Sequence, residues 1–282
     1  MFGRTGQVAI EILRHAGQHR VVAVGRDQAD LANPETCSNL IAESDADLVL
    51  NAAAYTAVDR AQAEPELAFL VNSVAPVVMA KAAKKSGIPF IHISTDYVFD
   101  GSGEKSRKED DTCRPLGIYG QSKYQGELGI LDTEAAAIIL RTSWVYSAHG
   151  SNFVKTMLRL GKERQTLNIV HDQVGGPTAA QDIAKTLLEI AVQFRQAPEK
   201  RGIYHYCGSP DASWKDFAAE IFKKSALKTR IIGIPTSAYP TPAPRPLNSR
   251  LDCSRLLAQF GVARPNWQAS LTDVLRELGE LA

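Results

Sequence analysis

The sequence predicts an α/β protein: a doubly wound parallel sheet joined to a smaller, discontinuous mixed α/β domain. Three observations predict it. Val- and Ile-rich runs with little polar alternation recur along the chain, as in parallel strands buried on both faces. Segments of helical periodicity separate them, which implies right-handed crossovers. The chain also opens on a glycine turn, with Gly3, Gly6 and Ala9 in the spacing G-x-x-G-x-x-A.

The elements follow in order. Only Met1 and Phe2 precede the turn, so a truncated first strand is expected; the turn then enters a helix over Gly6–Gly17. Strands are expected at Val21–Gly25, Asp47–Ala54, Pro89–Phe99 and Ala136–Tyr146. Helices are expected at Pro34–Ser44, Leu67–Ser86 and Tyr119–Asp132. The second half is less regular, with helices at Phe153–Glu163, Ala180–Arg195 and Trp214–Lys224 and strands near Leu167–His171 and Gly202–Cys207. The tract Ile234–Pro246 reads as a surface loop, because its prolines remove donors and fix φ. The expected Rossmann-type part covers about residues 1–147 and 166–208, leaving 148–165 and 209–282 for the smaller domain.

Composition narrows the function. The 282 residues are 44% hydrophobic and 22% charged, enough for a large core and against disorder. A net charge of +1 gives no electrostatic case for nucleic acid or an anionic membrane surface. No run reads as a bilayer span and no signal peptide precedes the turn, so a cytoplasmic protein is expected. Cys37, Cys113, Cys207 and Cys253 form no C-x-x-C pair and read as reduced thiols. The six histidines show no metal-ligand spacing, so no metal is expected.

Three stretches carry chemistry. In "YGQSK", Tyr119 and Lys123 stand four apart on one helix face, where an ammonium would lower the phenol pKa and fit the phenol for proton transfer at a carbonyl carbon. The pair alone reads equally well as the exposed start of an amphipathic helix. "HISTDYVFDG" ends a buried strand in polar residues and presents Thr95 where ligands bind in open parallel sheets. A strand-end cap is the plainer reading of Thr95, and His92 reads as a core residue. In "NAAAYTAVD", Ala52, Ala53 and Ala54 would let a flat ligand lie on the backbone, although tight helix–sheet packing accounts for them too.

With "GRTGQVA", "NAAAYTAVDRAQAEPELAFLVNSVAP", "ISTDYVFDG", "PLGIYGQSKYQGE", "LRTSWVYSAHGSNFV", "DQVGGPT" and "RPLNSRLD", the chain resembles the extended short-chain dehydrogenase/reductase superfamily. The motifs are similar, nearly end to end, to its nucleotide-sugar branch, the dTDP-4-dehydrorhamnose reductase family. The resemblance implies NAD(P)H-dependent reduction of the C4 ketone of a nucleotide-linked sugar, with Thr95, Tyr119 and Lys123 catalytic. It places Gly3, Gly6, Gln7 and Val8 at the cofactor pyrophosphate, Asp30 and Leu31 at the adenine, and Ala52–Ala54 along the cofactor groove. Thr95, Asp96 and Trp144 would contact the sugar, with Asn152, Gln173 and Arg250 around it. Each of the outer residues has a plainer reading: Trp144 as a core aromatic, Asn152 as a helix cap, Arg250 as a partner of Asp252.

Arg26, following Val21–Val24 and Gly25, stands where many NAD enzymes carry an acidic residue. A guanidinium there suits a 2′-phosphate, so between NADPH and NADH the expectation leans to NADPH. Some relatives are dimers bridged by a divalent cation. Glu11 falls at a fitting place on the first helix, but no acidic cluster partners it in the sequence, so a homodimer stays open and no metal is expected. The same superfamily branch includes a regulatory subunit of methionine adenosyltransferase, so a binding role is the alternative to catalysis, as is reduction of another 4-keto sugar.

Overall fold

Val49 and Leu50 are neighbours in sequence yet pack into different cores, and that division organises the molecule. A computed structural model describes all residues, 1–282. Its main sheet contains β1 (Val49–Asn51), β2 (Phe90–Thr95), β3 (Ala137–Thr142) and the strand Gly202–His205, all parallel and adjacent in that order. Phe2 extends the sheet beyond β1 and forms parallel bridges to both Asn51 and Val24. Phe2 N donates to Leu50 O at 2.8 Å and Gly3 N to Val24 O at 3.0 Å. Met1–Gly3 thus occupies the first-strand position. The strand expected at Val21–Gly25 is reduced to a single bridge at Val24.

Alternate residues of each strand point to opposite faces. Phe2, Val49, Phe90, Ala137 and Ile139 face one core with Cys37, Ile41, Met79 and Ile130. Leu50, Ile91, Ile138 and Leu140 face the other with Ile12, Ile183, Leu187 and Phe194. Helices Pro34–Ala42 and Ala75–Lys85 pack together over the first face, and Gln7–His15 packs on Ala180–Gln196 over the second. The strand order therefore reverses direction between Phe2 and β1, which is the switch point where such sheets bind ligands.

The expected helix Leu67–Ser86 is two helices, Pro65–Phe69 and Ala75–Lys85, joined by a wider π-type turn at Leu70–Val74. The combined stretch Pro65–Lys85 is long and apolar enough to cross a membrane by length and composition, contrary to the sequence expectation. About half of this stretch is buried, with Val71, Ala75, Met79, Ala80 and Ala83 in the first core. Its apolar character is explained by that packing.

A third core gathers Tyr146, Val154, Met157, Leu158, Phe217, Ile221, Trp267 and Leu271. Helices Phe153–Glu163 and Trp214–Lys224 occupy the expected spans. Asn152 caps the first by accepting from Lys155 N at 3.2 Å, and Ser213 with Asp216 forms a capping box for the second. Thr166–Val170, assigned from sequence to the Rossmann-type part, pairs in parallel with Arg230–Ile234. That partner strand was unforeseen and takes the first residue of the proline-rich tract; beyond it the tract runs as a short 3₁₀ turn and loop.

Candidate active site

One cleft of about 1270 Å³ runs along the carboxyl ends of the strands and joins the switch point to the third core. Its volume exceeds the ~300–1,000 Å³ of a typical single-ligand pocket, so it has room for two ligands. At one end, Gly3 holds φ +98°, and a Cβ there would press on the Ala52 and Ala53 backbone at 3.2 Å. Gly6 faces open space, and the helix Gln7–His15 starts there with no side-chain cap. Its first N–H groups remain free, and a phosphate fits this turn. Val8, Ala54, Asp30 and Leu31 line the same end, Leu31 mostly as a core residue.

Arg26 lies on this rim, largely exposed and loosely paired to Asp30 at 3.7 Å. Arg4, which the sequence reading passed over, joins it and pairs with Asp27 at 3.0 Å. A Cβ on Gly25 would collide with both Asp27 and Arg4, so glycine lets the two come together. The rim offers two guanidinium groups to an anion.

Thr95, Asp96, Tyr119 and Lys123 meet in the middle of the cleft. Thr95 ends β2, accepts from Tyr97 N at 3.2 Å and donates to Asp96 Oδ1 at 3.1 Å. The capping role is therefore real and coexists with its place in the cleft. Asp96 is buried, its Oδ2 has no partner, and burial pushes its carboxyl up to about 6. Gly120 lets the helix Ile118–Asp132 approach Tyr97, since a Cβ there would sit 2.2 Å from Tyr97 O. Tyr119 meets the Tyr97 ring edge-on, with centroids 5.5 Å apart.

The electrostatics correct one expectation. Lys123 does not lower the Tyr119 pKa in this arrangement. Burial raises Tyr119 to about 12, with Asp96 adding to the rise and the Thr95 hydroxyl opposing it. Lys123 Nζ instead donates to Ile93 O at 2.7 Å and lies 3.2 Å from His92 Nε2. Burial brings Lys123 down to about 8, against the pull of Glu127. Tyr119 is thus held as a neutral phenol, the form that can give a proton.

Asn72, which the sequence reading missed, sits in the π-type turn. It accepts from Tyr55 N at 2.9 Å and donates to Tyr55 O and Ser122 Oγ, both at 3.0 Å, tying the alanine loop to the Tyr119 helix. Glu127 and Arg141, both fully buried, pair at 2.6 Å beneath the same helix.

At the far end, Trp144 and Trp214 stack with centroids 3.5 Å apart and planes 7° apart. Trp144 holds φ +49°, unusual for a non-glycine residue, and lies over Gly175, where a Cβ would come within 3.1 Å of its ring. It is no simple core aromatic. Asn152 Nδ2 donates to Gln7 Oε1 at 2.9 Å, so it links the two ends of the cleft as well as capping its helix. Gln173 and Arg250 do not line the cleft. Gln173 Oε1 accepts from Trp214 Nε1 at 3.0 Å at the ring edge, and Arg250 turns to Asn248 and Asp211, not to Asp252. Trp214 and Arg245, the latter paired to Asp59 at 2.7 Å, take wall positions the sequence reading did not name.

Away from the cleft, Glu11 has the partners that the sequence hid: it groups with His149 and Glu277 closely enough to hold a cation. The Arg14 guanidinium reaches all three, at 2.7 Å from Glu277, 3.0 Å from His149 and 3.1 Å from Glu11. A fixed positive charge thus already offsets one of the two carboxylate charges. The four cysteines are free thiols.

Comparison with known proteins places these features in context. The family model "RmlD substrate binding domain" matches residues 1–280. A dTDP-4-dehydrorhamnose reductase of Salmonella typhimurium is 40% identical over 99% of this chain and 97% of its own length. The crystal structure of a Clostridium acetobutylicum dTDP-4-dehydrorhamnose reductase superposes with a TM-score of 0.92 at 33% identity, covering 99% of this chain and 98% of that one. The Bacillus anthracis dTDP-4-dehydrorhamnose reductase, crystallised in complex with NADP, gives 0.90 at 30% identity, with 98% and 97% covered.

Proposed function

Since the chain belongs to the RmlD family of dTDP-4-dehydrorhamnose reductases, we propose that it reduces the C4 ketone of dTDP-4-dehydrorhamnose with NADPH, giving dTDP-rhamnose for cell-surface polysaccharide. The observation that carries this reading is the single cleft. It joins the Gly3–Val8 turn, the group Thr95, Tyr119 and Lys123, and the Trp144–Trp214 wall. NADPH, when bound, supplies the hydride that goes to C4.

The chain's own groups do the rest. The turn and the free N–H groups of the first helix hold the pyrophosphate, and Ala52–Ala54 form a floor without bulk. Arg26 and Arg4 meet the 2′-phosphate, which favours NADPH over NADH. Tyr119, a neutral phenol, gives its proton to the C4 oxygen as the hydride arrives, and the Lys123 ammonium offsets the phenolate left behind. Thr95 and Asp96 orient the sugar, and the tryptophan wall takes an apolar or aromatic face of the nucleotide sugar. In this reading a cofactor-holding part is centred on the parallel sheet and a nucleotide-sugar part on the third core. The enzyme works in the cytoplasm, where its free thiols stay reduced.

Purified protein mixed with NADPH and dTDP-4-dehydrorhamnose tests the reading through nicotinamide absorbance and product stereochemistry. Loss of absorbance with dTDP-rhamnose as product is expected. No loss overturns the reading in favour of a binding role, and turnover confined to another 4-keto sugar overturns the substrate.

A further inference from the structure

Beneath the catalytic lysine lies a polar chain that the reading above does not use. His92 is fully buried in β2, with Nε2 3.2 Å from Lys123 Nζ and Nδ1 3.1 Å from Asn51 Nδ2. Asn51, also fully buried, accepts from Ala53 N through Oδ1 at 3.1 Å. That backbone N–H fixes the amide: a flip would set the Asn51 NH₂ against another donor. Asn51 Nδ2 therefore donates, His92 Nδ1 must accept, and in a neutral ring the proton stands on Nε2. An N–H thus faces the lysine nitrogen.

We propose that Asn51 and His92 are positioning residues for Lys123: Asn51 sets the His92 tautomer, and the ring N–H favours a lysine that readily yields a proton. A neutral Lys123 satisfies the whole chain, donating to Ile93 O and accepting from His92 Nε2. The ammonium, which is the form that offsets the Tyr119 phenolate, leaves two donors face to face in a buried site and so sheds a proton readily. The other charged groups around Lys123 act differently. On its own helix Glu127 favours the ammonium but is engaged by Arg141, while Tyr119 is a neutral phenol. Asp96 lies across Thr95 from Tyr119. Ala53 belongs to the cofactor floor, so the chain also couples that floor to the lysine.

Nitrogen-15 NMR of the wild-type protein reads the tautomer directly and needs no activity. His92 and His205 are the two fully buried histidines, and burial lowers both pKa values below the ordinary range. His205 Nδ1 lies 3.0 Å from Arg107 O and its Nε2 lies 3.4 Å from Arg141 Nη1, which fixes its proton on Nδ1. Two non-titrating rings of opposite tautomer are expected; two rings both protonated on Nδ1 overturn the proposal. The second arm rests on the reductase reading. In His92→Phe the opposing N–H is gone, so the alkaline limb of kcat against pH should rise by about one unit. A limb that stays or falls overturns the proposal, while absence of turnover in the wild type counts only against the reductase reading.

Discussion

Trp144 and Trp214, seventy residues apart in the chain, lie face to face with ring centroids 3.5 Å apart. Phe153 packs on Trp214 and Gln173 accepts from its indole N–H, so the pair forms a firm apolar wall at one end of the cleft. Trp214 is covered by Trp144 and Phe153, so truncating it acts on the cleft by releasing Trp144 from its support. Trp214→Ala should raise KM for the nucleotide sugar roughly tenfold and leave KM for NADPH unchanged, as steady-state kinetics with each substrate varied will read.

Tyr119→Phe keeps the ring that meets Tyr97 and removes only the hydroxyl. General acid catalysis contributes about 10²–10⁴-fold, so kcat should fall by that order with little change in NADPH binding. Full retained rate would refute the proton-donor role.

Burial raises the Asp96 carboxyl from 3.8 to about 6. Between those values the folded chain holds a proton that the unfolded chain has released, so stability falls as pH rises through that window. Above it both states are ionised and a cost of about 3 kcal/mol persists. Asp96→Asn should therefore stabilise the protein at pH 7 by up to that amount and gain almost nothing at pH 4. Urea denaturation at the two pH values checks it.

Arg141 and Glu127 are a fully buried ion pair, with Ser94 also donating to Glu127. Removing one partner strands the other charge, a loss of about 3–5 kcal/mol. Arg141→Met should show that loss in urea melts, and the double change Arg141→Met with Glu127→Leu should cost far less.

The cofactor rim gives a test of selectivity. Arg26 is exposed and only weakly paired, so it is available to a phosphate. A charge-assisted hydrogen bond contributes about 1.5–3 kcal/mol. Arg26→Ala should raise KM for NADPH at least tenfold and leave KM for NADH nearly unchanged.

Much of this was legible in the chain. The runs at β2 and β3 lack polar alternation because both faces are covered, and that pattern survives in any sequence window. The Gly3–Gly6 turn, the Thr95 strand end and the Tyr119–Lys123 pair are local, so their spacing drew notice, although the motif resemblance was needed to choose between their readings. Gln173 and Arg250 were placed at the cleft on motif membership, and side-chain direction put them behind or beyond it. The π-type turn hid inside one apolar helix pattern because a single wider turn barely disturbs the periodicity.

The sequence by itself determined the doubly wound sheet, and it marked the glycine turn and the Thr95, Tyr119 and Lys123 group that the cleft brings together, since each depends on short-range periodicity or on residues within a few positions. Tertiary structure decided what distant segments do to one another. It set Trp214 on Trp144, Arg14 among Glu11, His149 and Glu277, and His92 beneath Lys123. It also reversed the expected electrostatics: burial leaves Tyr119 raised and Lys123 lowered. Desolvation depends on everything packed around a group, and no local stretch of sequence carries that sum.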